Sequence, residues 1–247
     1  MVVHAREPEL REGGAAPLLR LWLVRHGQTA ANRQGIIQGQ QDWPLDETGL
    51  AQARRVGAAL SGARWWRAYS SDLARARVTA EAALARAAPM AETLRTDARL
   101  RECALGVLEG QPRGTSPAKA RAARGAGAAA PPHERHEDLA RRTAAWLDDV
   151  TADAVAAAGP AEGPLDVLVV SHSGCLVTFM TSVCCVRAPR HLHNGSITIV
   201  DVHQREAGKL VCDLSRRVND VAHMADDSGG GMAETTSDDI AAAASLR

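Results

Sequence analysis

Three short polar segments carry residue types suited to chemistry on an anionic substrate. They are Arg25-His26-Gly27, a segment over residues 70–75 that ends in Arg75, and Ser171-His172-Ser173-Gly174. A guanidinium can bind two phosphate oxygens at once, and a neutral imidazole carries a nitrogen lone pair that can attack phosphorus. Two arginines and two histidines together therefore suit a dianionic phosphate group.

Each of these segments follows an apolar run that is typical of a buried strand. We predict strands at Leu19–Val24, Arg64–Ser70, Leu165–Val170, Ser196–Val202 and Lys209–Leu214. Helical spacing of apolar residues predicts helices at 46–62, Asp72–Ala87 and Cys175–Val186, the first started by Asp46 or Thr48 and ended by Gly62. Alternating strands and helices indicate an α/β fold with a largely parallel sheet. Because parallel strands end at one edge, the three polar segments should converge there.

The predicted helices give two of the charged segments a further reason to bind an anion. Arg75 falls in the first turn of its helix, where the helix dipole disfavours a cation, and a bound anion would offset that cost. His172 immediately precedes another helix start, which is a natural anion site.

Composition excludes several other classes of protein. The chain has 247 residues with 29 Lys+Arg against 29 Asp+Glu, and only 3% aromatic residues, so we expect no nucleic-acid partner. It has no run of 18 apolar residues, and we expect no membrane partner. Five cysteines without a CxxC motif indicate a reducing compartment, so we predict a cytoplasmic protein of undetermined oligomeric state.

Local composition divides the chain into segments. We predict a flexible leader over residues 1–17, a single domain over 18–224 and a disordered polar tail over 225–247. Within the domain, residues 111–137 shift to Gly, Ala, Pro and Arg, which indicates an insertion. This basic insertion could bind anionic partners, but a disordered or cap loop is the interpretation we prefer.

Four sequence blocks in order resemble the histidine phosphatase superfamily, also called phosphoglycerate-mutase-like. They are LVRHGQTAAN, SSDLARARVTA, LRECALGVLEG and VVSHSG, and the resemblance extends from about Leu19 to Leu214. The stretch GIIQGQQDWPLDETGLAQA is further similar to the fructose-2,6-bisphosphatase branch and to broad-specificity phosphatases near it. The resemblance implies a three-layer α/β/α sandwich around a mostly parallel sheet, with a short cap insertion.

The resemblance also implies a role for each matching residue. His26 would be the nucleophile that becomes phosphohistidine, and Glu102 would be the general acid and then the base for water. His172 would stabilise charge on the transferring group. The phosphoryl oxygens and the rest of the substrate would be held by Arg25, Arg75, Asn32, Gln38, Ser173 and backbone amides around Gly39. No cofactor and no metal are implied.

Two other patterns have a weaker chemical interpretation. Cys184 and Arg190 have the spacing of a cysteine-phosphatase loop but lack its preceding His and its glycines, so chance explains them better. His191 and His193 could suggest a metal, but without companion ligands we interpret them as part of a surface loop.

The leading functional hypothesis is a phosphatase of small phosphorylated metabolites, with fructose 2,6-bisphosphate or another bisphosphate as a candidate substrate. The alternatives are a 2,3-bisphosphoglycerate-dependent phosphoglycerate mutase that uses the same site, and an inactive relative that serves as a binding adaptor.

Overall fold

A six-stranded mixed sheet is the centre of the computed structural model, which describes residues 16–89, 93–124, 132–157, 163–204, 209–214 and 217–225. The strands are β1 Leu19–Arg25, β2 Arg67–Ser70, β3 Arg95–Thr96, β4 Leu165–Ser171, β5 Ile197–Gln204 and β6 Leu210–Leu214. Their order is β3-β2-β4-β1-β5-β6. The pairings among β1 to β4 are parallel, and β5 is antiparallel to both of its neighbours, which confirms the mostly parallel sheet.

Helices cover both faces of this sheet. They are α1 Ala30–Arg33, α2 Glu47–Ala59, α3 Ala74–Leu84, α4 Pro117–Arg124, α5 His136–Ala157 and α6 Ser173–Thr178. On one face α5 packs Trp146 and Val150 into a core with Leu21 of β1. On the other face α2 and α3 form a second core with the opposite side of the same strands. The layers are therefore helix, sheet, helix, as the resemblance implies.

The start of α2 confirms one of its two candidate caps. Asp46 has an extended backbone, and its Oδ1 accepts a hydrogen bond from the Gly49 amide at 2.9 Å. This contact satisfies an amide that the helix itself cannot pair. Gly62 follows the helix with a φ of +74°, a conformation that glycine adopts without strain.

Two helices differ from the predicted ranges. The predicted helix Asp72–Ala87 is shorter, because Leu73 is still extended and α3 begins at Ala74. The predicted helix Cys175–Val186 begins earlier, at Ser173, and changes to a π-helical turn over Phe179–Val183. Apolar spacing cannot distinguish an α-turn from a single π-turn, which explains this difference.

The cap insertion contains a helix where we preferred a loop. Within it α4 packs Ala120 against Val107 and Leu108 in a small apolar cluster that is separate from the two main cores. Hydrogen bonds tie the base of this insertion to the chain after α1, from the Ile37 amide to the Gln111 carbonyl at 2.9 Å and from the Gly110 amide to the Ile37 carbonyl at 2.8 Å. Residues 125–131 of the insertion lie outside the described residues.

The predicted leader and tail fall almost entirely outside the described residues, which include only positions 16 and 17 of the first and position 225 of the second. Across the described ranges, no helix combines the length and the apolar character needed to cross a membrane.

Close contact between α2 and α3 generates a test of the packing. A Cβ atom on Gly57 would lie 2.3 Å from the Ala82 carbonyl oxygen, which is backbone that cannot move aside. We expect Gly57→Ala to lower the free energy of unfolding by about 1–3 kcal/mol in urea denaturation, because overpacking outweighs the gain in helix propensity. The exposed neighbour Ala58 is the control, since Ala58→Gly should cost only the propensity difference of about 1 kcal/mol. A more stable Gly57→Ala variant would contradict the close packing.

Candidate active site

The predicted convergence of the polar segments is present in the structure. β1 ends at Arg25, which pairs with Ser171 at the end of β4, and Ser70 at the end of β2 pairs with Val170. The three strands are parallel and neighbouring, so the residues that follow them leave the sheet at one edge. This edge carries the candidate site.

His26 and His172 lie side by side there. Their ring centroids are 5.1 Å apart, and the two residues are 3% and 0% exposed. The main chain fixes this arrangement, because the His26 amide donates to the Ser171 carbonyl at 2.9 Å and so continues the strand pairing by one residue.

The hydrogen bond of His26 determines which ring nitrogen can react. Nδ1 lies 2.7 Å from the Gly27 carbonyl oxygen, which can only accept, so the proton is assigned to Nδ1 and the lone pair to Nε2. Burial, followed by the charges of Arg75 and Arg25, lowers the pKa of His26 well below 6.5. His26 is therefore neutral near pH 7, with a nucleophilic nitrogen.

His172 is held neutral by the same surroundings. Burial, with the charges of Arg75, His26 and Arg25, lowers the pKa of His172 well below 6.5. Within the described part of the chain, neither ring nitrogen of His172 has a hydrogen-bond partner. Buried polar atoms normally have partners, so these nitrogens point to a polar ligand in the site.

Both predicted arginines are buried at this edge. Arg75 is 1% exposed in the first turn of α3, and its Nη1 and Nη2 donate to the carbonyls of Gln41 at 2.7 Å and Gly39 at 2.8 Å. Burial lowers the pKa of Arg75 to about 10, so its guanidinium stays charged at neutral pH. Arg25 is 4% exposed and donates through Nη1 to the Leu192 carbonyl.

Glu102 occupies the start of α6, where we expected an anion to bind beside His172. Its carboxylate oxygens accept hydrogen bonds from the amides of Cys103 at 2.9 Å, Gly174 at 3.0 Å and Cys175 at 2.8 Å. The side chain thus caps the helix that follows His172. The carboxyl group at this helix start therefore belongs to the protein itself.

An ion pair from outside the predicted set holds the backbone of Glu102. Arg142 on α5 donates to the Glu102 carbonyl at 3.0 Å and to the Glu134 carboxylate at 2.7 Å and 2.9 Å. Glu134 in turn accepts from the Ala104 amide at 3.2 Å. These contacts fix the loop that carries Glu102, and a single sequence offers no spacing signal for them.

Asn32 and Gln38 line the loop that follows β1. Asn32 forms a capping box with Thr29 at the start of α1, and Asn194 donates both to its Oδ1 at 3.3 Å and to the His26 carbonyl at 3.0 Å. Gln38 accepts from the Thr29 hydroxyl at 3.0 Å. Asn194 is a site residue that the sequence motifs do not predict.

The segment around Gly39, predicted to supply amide donors, makes hydrogen bonds to other parts of the protein. The Gly39 carbonyl accepts from Arg75, and the next amide, of Gln40, donates to Glu109 at 3.1 Å. A Cβ on Gly39 would lie 2.1 Å from the same Glu109 carboxylate, and its φ is +51°, so this position requires glycine.

Ser173 contacts a residue that we placed on a surface loop. Its hydroxyl lies 3.2 Å from Nδ1 of His191, and Nε2 of the same ring lies 2.8 Å from Arg25 Nη1. His191 is partly buried at the site edge. Its position shortly before the antiparallel strand β5, next to β1, was the available signal for this placement.

Comparisons with known proteins agree with this architecture. The family model of the histidine phosphatase superfamily (branch 1) matches residues 21–213. The fructose-2,6-bisphosphatase TIGAR of Mus musculus is 41% identical over 109 residues, which are 43% of this chain and 40% of that protein. The chain thus matches about 40% of the length of the curated TIGAR relatives. A broad-specificity phosphatase of Saccharomyces cerevisiae is 28% identical over 214 residues, 85% of this chain and 89% of the relative.

A solved structure of a phosphatase has the same fold as this chain. The mycobacterial glucosyl-3-phosphoglycerate phosphatase in complex with inorganic phosphate superposes with a TM-score of 0.67 at 28% identity. The superposition covers 83% of this chain and 99% of that one. On the family model, the fold and the order of its motifs, this chain belongs to the histidine phosphatase superfamily.

Proposed function

We propose that the protein is a phosphatase that hydrolyses small phosphorylated metabolites through a phosphohistidine on His26. The observation that carries this proposal is the state of the His26 ring. It is neutral, its Nδ1 proton is held by the Gly27 carbonyl, and its Nε2 lone pair lies in a buried site with His172 and two guanidinium groups.

In the first half of the reaction, Nε2 of His26 attacks the phosphorus atom and the bond from phosphorus to the ester oxygen breaks. Glu102 supplies the proton that the departing oxygen needs. Arg25, Arg75 and His172 hold the phosphoryl oxygens while negative charge shifts onto them and onto the departing oxygen.

In the second half, a water molecule attacks the phosphorus and Glu102 accepts its proton. The bond from phosphorus to Nε2 breaks, and inorganic phosphate leaves. The hydrogen bond from Nδ1 to the Gly27 carbonyl stabilises the positive ring of the intermediate, because a carbonyl oxygen favours the charged imidazole.

Small phosphorylated metabolites are the substrate class named for the relatives, which include a fructose-2,6-bisphosphatase and a glucosyl-3-phosphoglycerate phosphatase. Fructose 2,6-bisphosphate or another bisphosphate is our candidate. The cap favours hydrolysis over the mutase reaction, because a mutase must hold its intermediate against water. The cations of this insertion are separated along the chain, and three of them are exposed on α4, so they should retain a monophosphorylated product poorly; they are Arg113, Lys119, Arg121 and Arg124.

We further expect the protein to act in the cytoplasm. Cys103, Cys175, Cys184, Cys185 and Cys212 are all free thiols in the structure. A reducing compartment maintains cysteines in that form.

Removal of the nucleophile tests the proposed function directly. A radiolabelled phosphoryl donor should label the wild-type protein through a bond that is labile in acid and stable in alkali, and phosphate should be released. His26→Ala should abolish both the label and the release, because no other side chain replaces Nε2 of His26 as the nucleophile. His203→Ala is the matched control, since His203 lies at the far end of β5. Label retained in His26→Ala would contradict the proposal.

The proton transfer assigned to Glu102 depends on the leaving group. Glu102→Gln keeps the shape of the side chain but cannot donate a proton. We expect kcat/KM for an alkyl phosphate, which reports the first half of the reaction, to fall by about 100-fold or more, and kcat/KM for an activated aryl phosphate to fall far less. Glu81→Gln, an exposed residue of α3, should change neither. Equal losses on both substrates would assign Glu102 a structural role.

The lowered pKa values of His26 and His172 predict an unusual titration. An ordinary histidine is half protonated near pH 6.5. By proton NMR, the ring signals of these two residues should keep the positions of the neutral form as the pH falls through 6.5. The unfolded chain then binds more protons than the folded one, so the free energy of unfolding should decrease as the pH falls below 6.5. Titration midpoints at or above 6.5 would refute this.

A further inference from the structure

The His191 ring hydrogen-bonds to two residues at the site edge, and both are predicted to bind substrate. Its Nε2 lies 2.8 Å from Arg25 Nη1, and its Nδ1 lies 3.2 Å from Ser173 Oγ. The ring therefore bridges the end of β1 and the start of α6.

The chemistry of these partners assigns the proton on the His191 ring. A guanidinium can only donate, so Nε2 accepts from Arg25 and the proton resides on Nδ1, which donates to Ser173. Burial, with the charges of Arg25, Arg113 and His193, lowers the pKa of His191 to about 3, which agrees with a neutral ring.

We propose that His191 is a positioning residue that orients the Arg25 guanidinium and the Ser173 hydroxyl toward the phosphoryl group. This inference rests on the proposed function, in which Arg25 holds phosphoryl oxygens. The neutral ring and the Leu192 carbonyl both accept from Arg25 Nη1, so the plane of the guanidinium is set before substrate binds. A group that is already ordered loses less entropy when it binds an anion.

The same ring directs the hydroxyl of Ser173. Ser173 Oγ accepts from the Leu192 amide at 3.0 Å as well as from His191 Nδ1. A hydroxyl has two lone pairs and one proton, so with both lone pairs engaged its proton has to go to a further acceptor. Ser173 is buried directly after His172 in the chain, so a phosphoryl oxygen bound beside His172 in the proposed reaction would be such an acceptor.

Two substitutions separate the two halves of this bridge. In His191→Gln the side-chain amide reaches the position of Nε2, and its oxygen can still accept from Arg25. In His191→Asn the shorter amide reaches only the position of Nδ1, so the donor to Ser173 is kept and the acceptor for Arg25 is lost. We expect His191→Asn to weaken binding of inorganic phosphate to the full chain by about 5–10-fold in calorimetry and to raise KM in parallel, because a hydrogen bond to a charged group is lost. His191→Gln should stay within about twofold of the wild type.

His203→Asn is the matched control and should bind phosphate like the wild type, because His203 pairs with Asp213 at the opposite end of β5. Wild-type affinity in His191→Asn, or equal losses in the Asn and Gln variants, would overturn the proposal. If the wild-type protein itself binds no phosphate, the proposed function is wrong and this inference falls with it.

A second measurement is independent of any variant's folding. Long-range proton–nitrogen NMR of the wild-type protein should show the His191 proton on Nδ1 and an unprotonated Nε2. A proton on Nε2 would overturn the proposal even if the protein is an active phosphatase.

Discussion

The parallel pairing of β1 with β4 is the interaction on which the site depends. It runs in register from Leu19 opposite Leu165 to Arg25 opposite Ser171, so His26 and His172 leave the sheet together. Side chains alternate between the faces of a strand, and a shift of one residue would send one imidazole to the opposite face. Both strands bury apolar side chains on both faces, in two separate cores. Their burial holds the register and hence the distance between the two rings.

Main-chain carbonyls orient the charges at this edge. Arg75 donates to the carbonyls of Gly39 and Gln41, and Arg25 donates to that of Leu192. A carbonyl dipole directs a guanidinium without carrying the full negative charge of a carboxylate partner. Burial, followed by this positive potential, lowers the pKa of both histidines, and the potential also favours an anionic ligand. The same electrostatic field therefore prepares the nucleophile and attracts the group it attacks.

Much of this arrangement could be predicted from the sequence, because strand periodicity and the rule that parallel strands end at one edge are local or topological properties. These two rules predicted that Arg25, Arg75 and His172 lie at the edge of the sheet where the structure has them. The π-helical turn after α6 and the helix α4 were missed, since apolar spacing does not specify them. Long-range polar contacts were also missed. Arg142 reaches Glu102 across 40 positions and His191 reaches Arg25 across 166, and no pattern within a single chain encodes such pairs.

The separate apolar cluster beneath α4 divides the protein into two parts that can diverge independently in evolution. Val107, Leu108 and Ala120 pack with one another and with Ile37 and Leu105 but belong to neither core that supports the strands. Substitutions in this cluster can change the packing of the insertion that carries α4 while the strand edge, and the site residues on it, keep their packing. Such a division allows the insertion to vary without a loss of stability in the scaffold that carries the site.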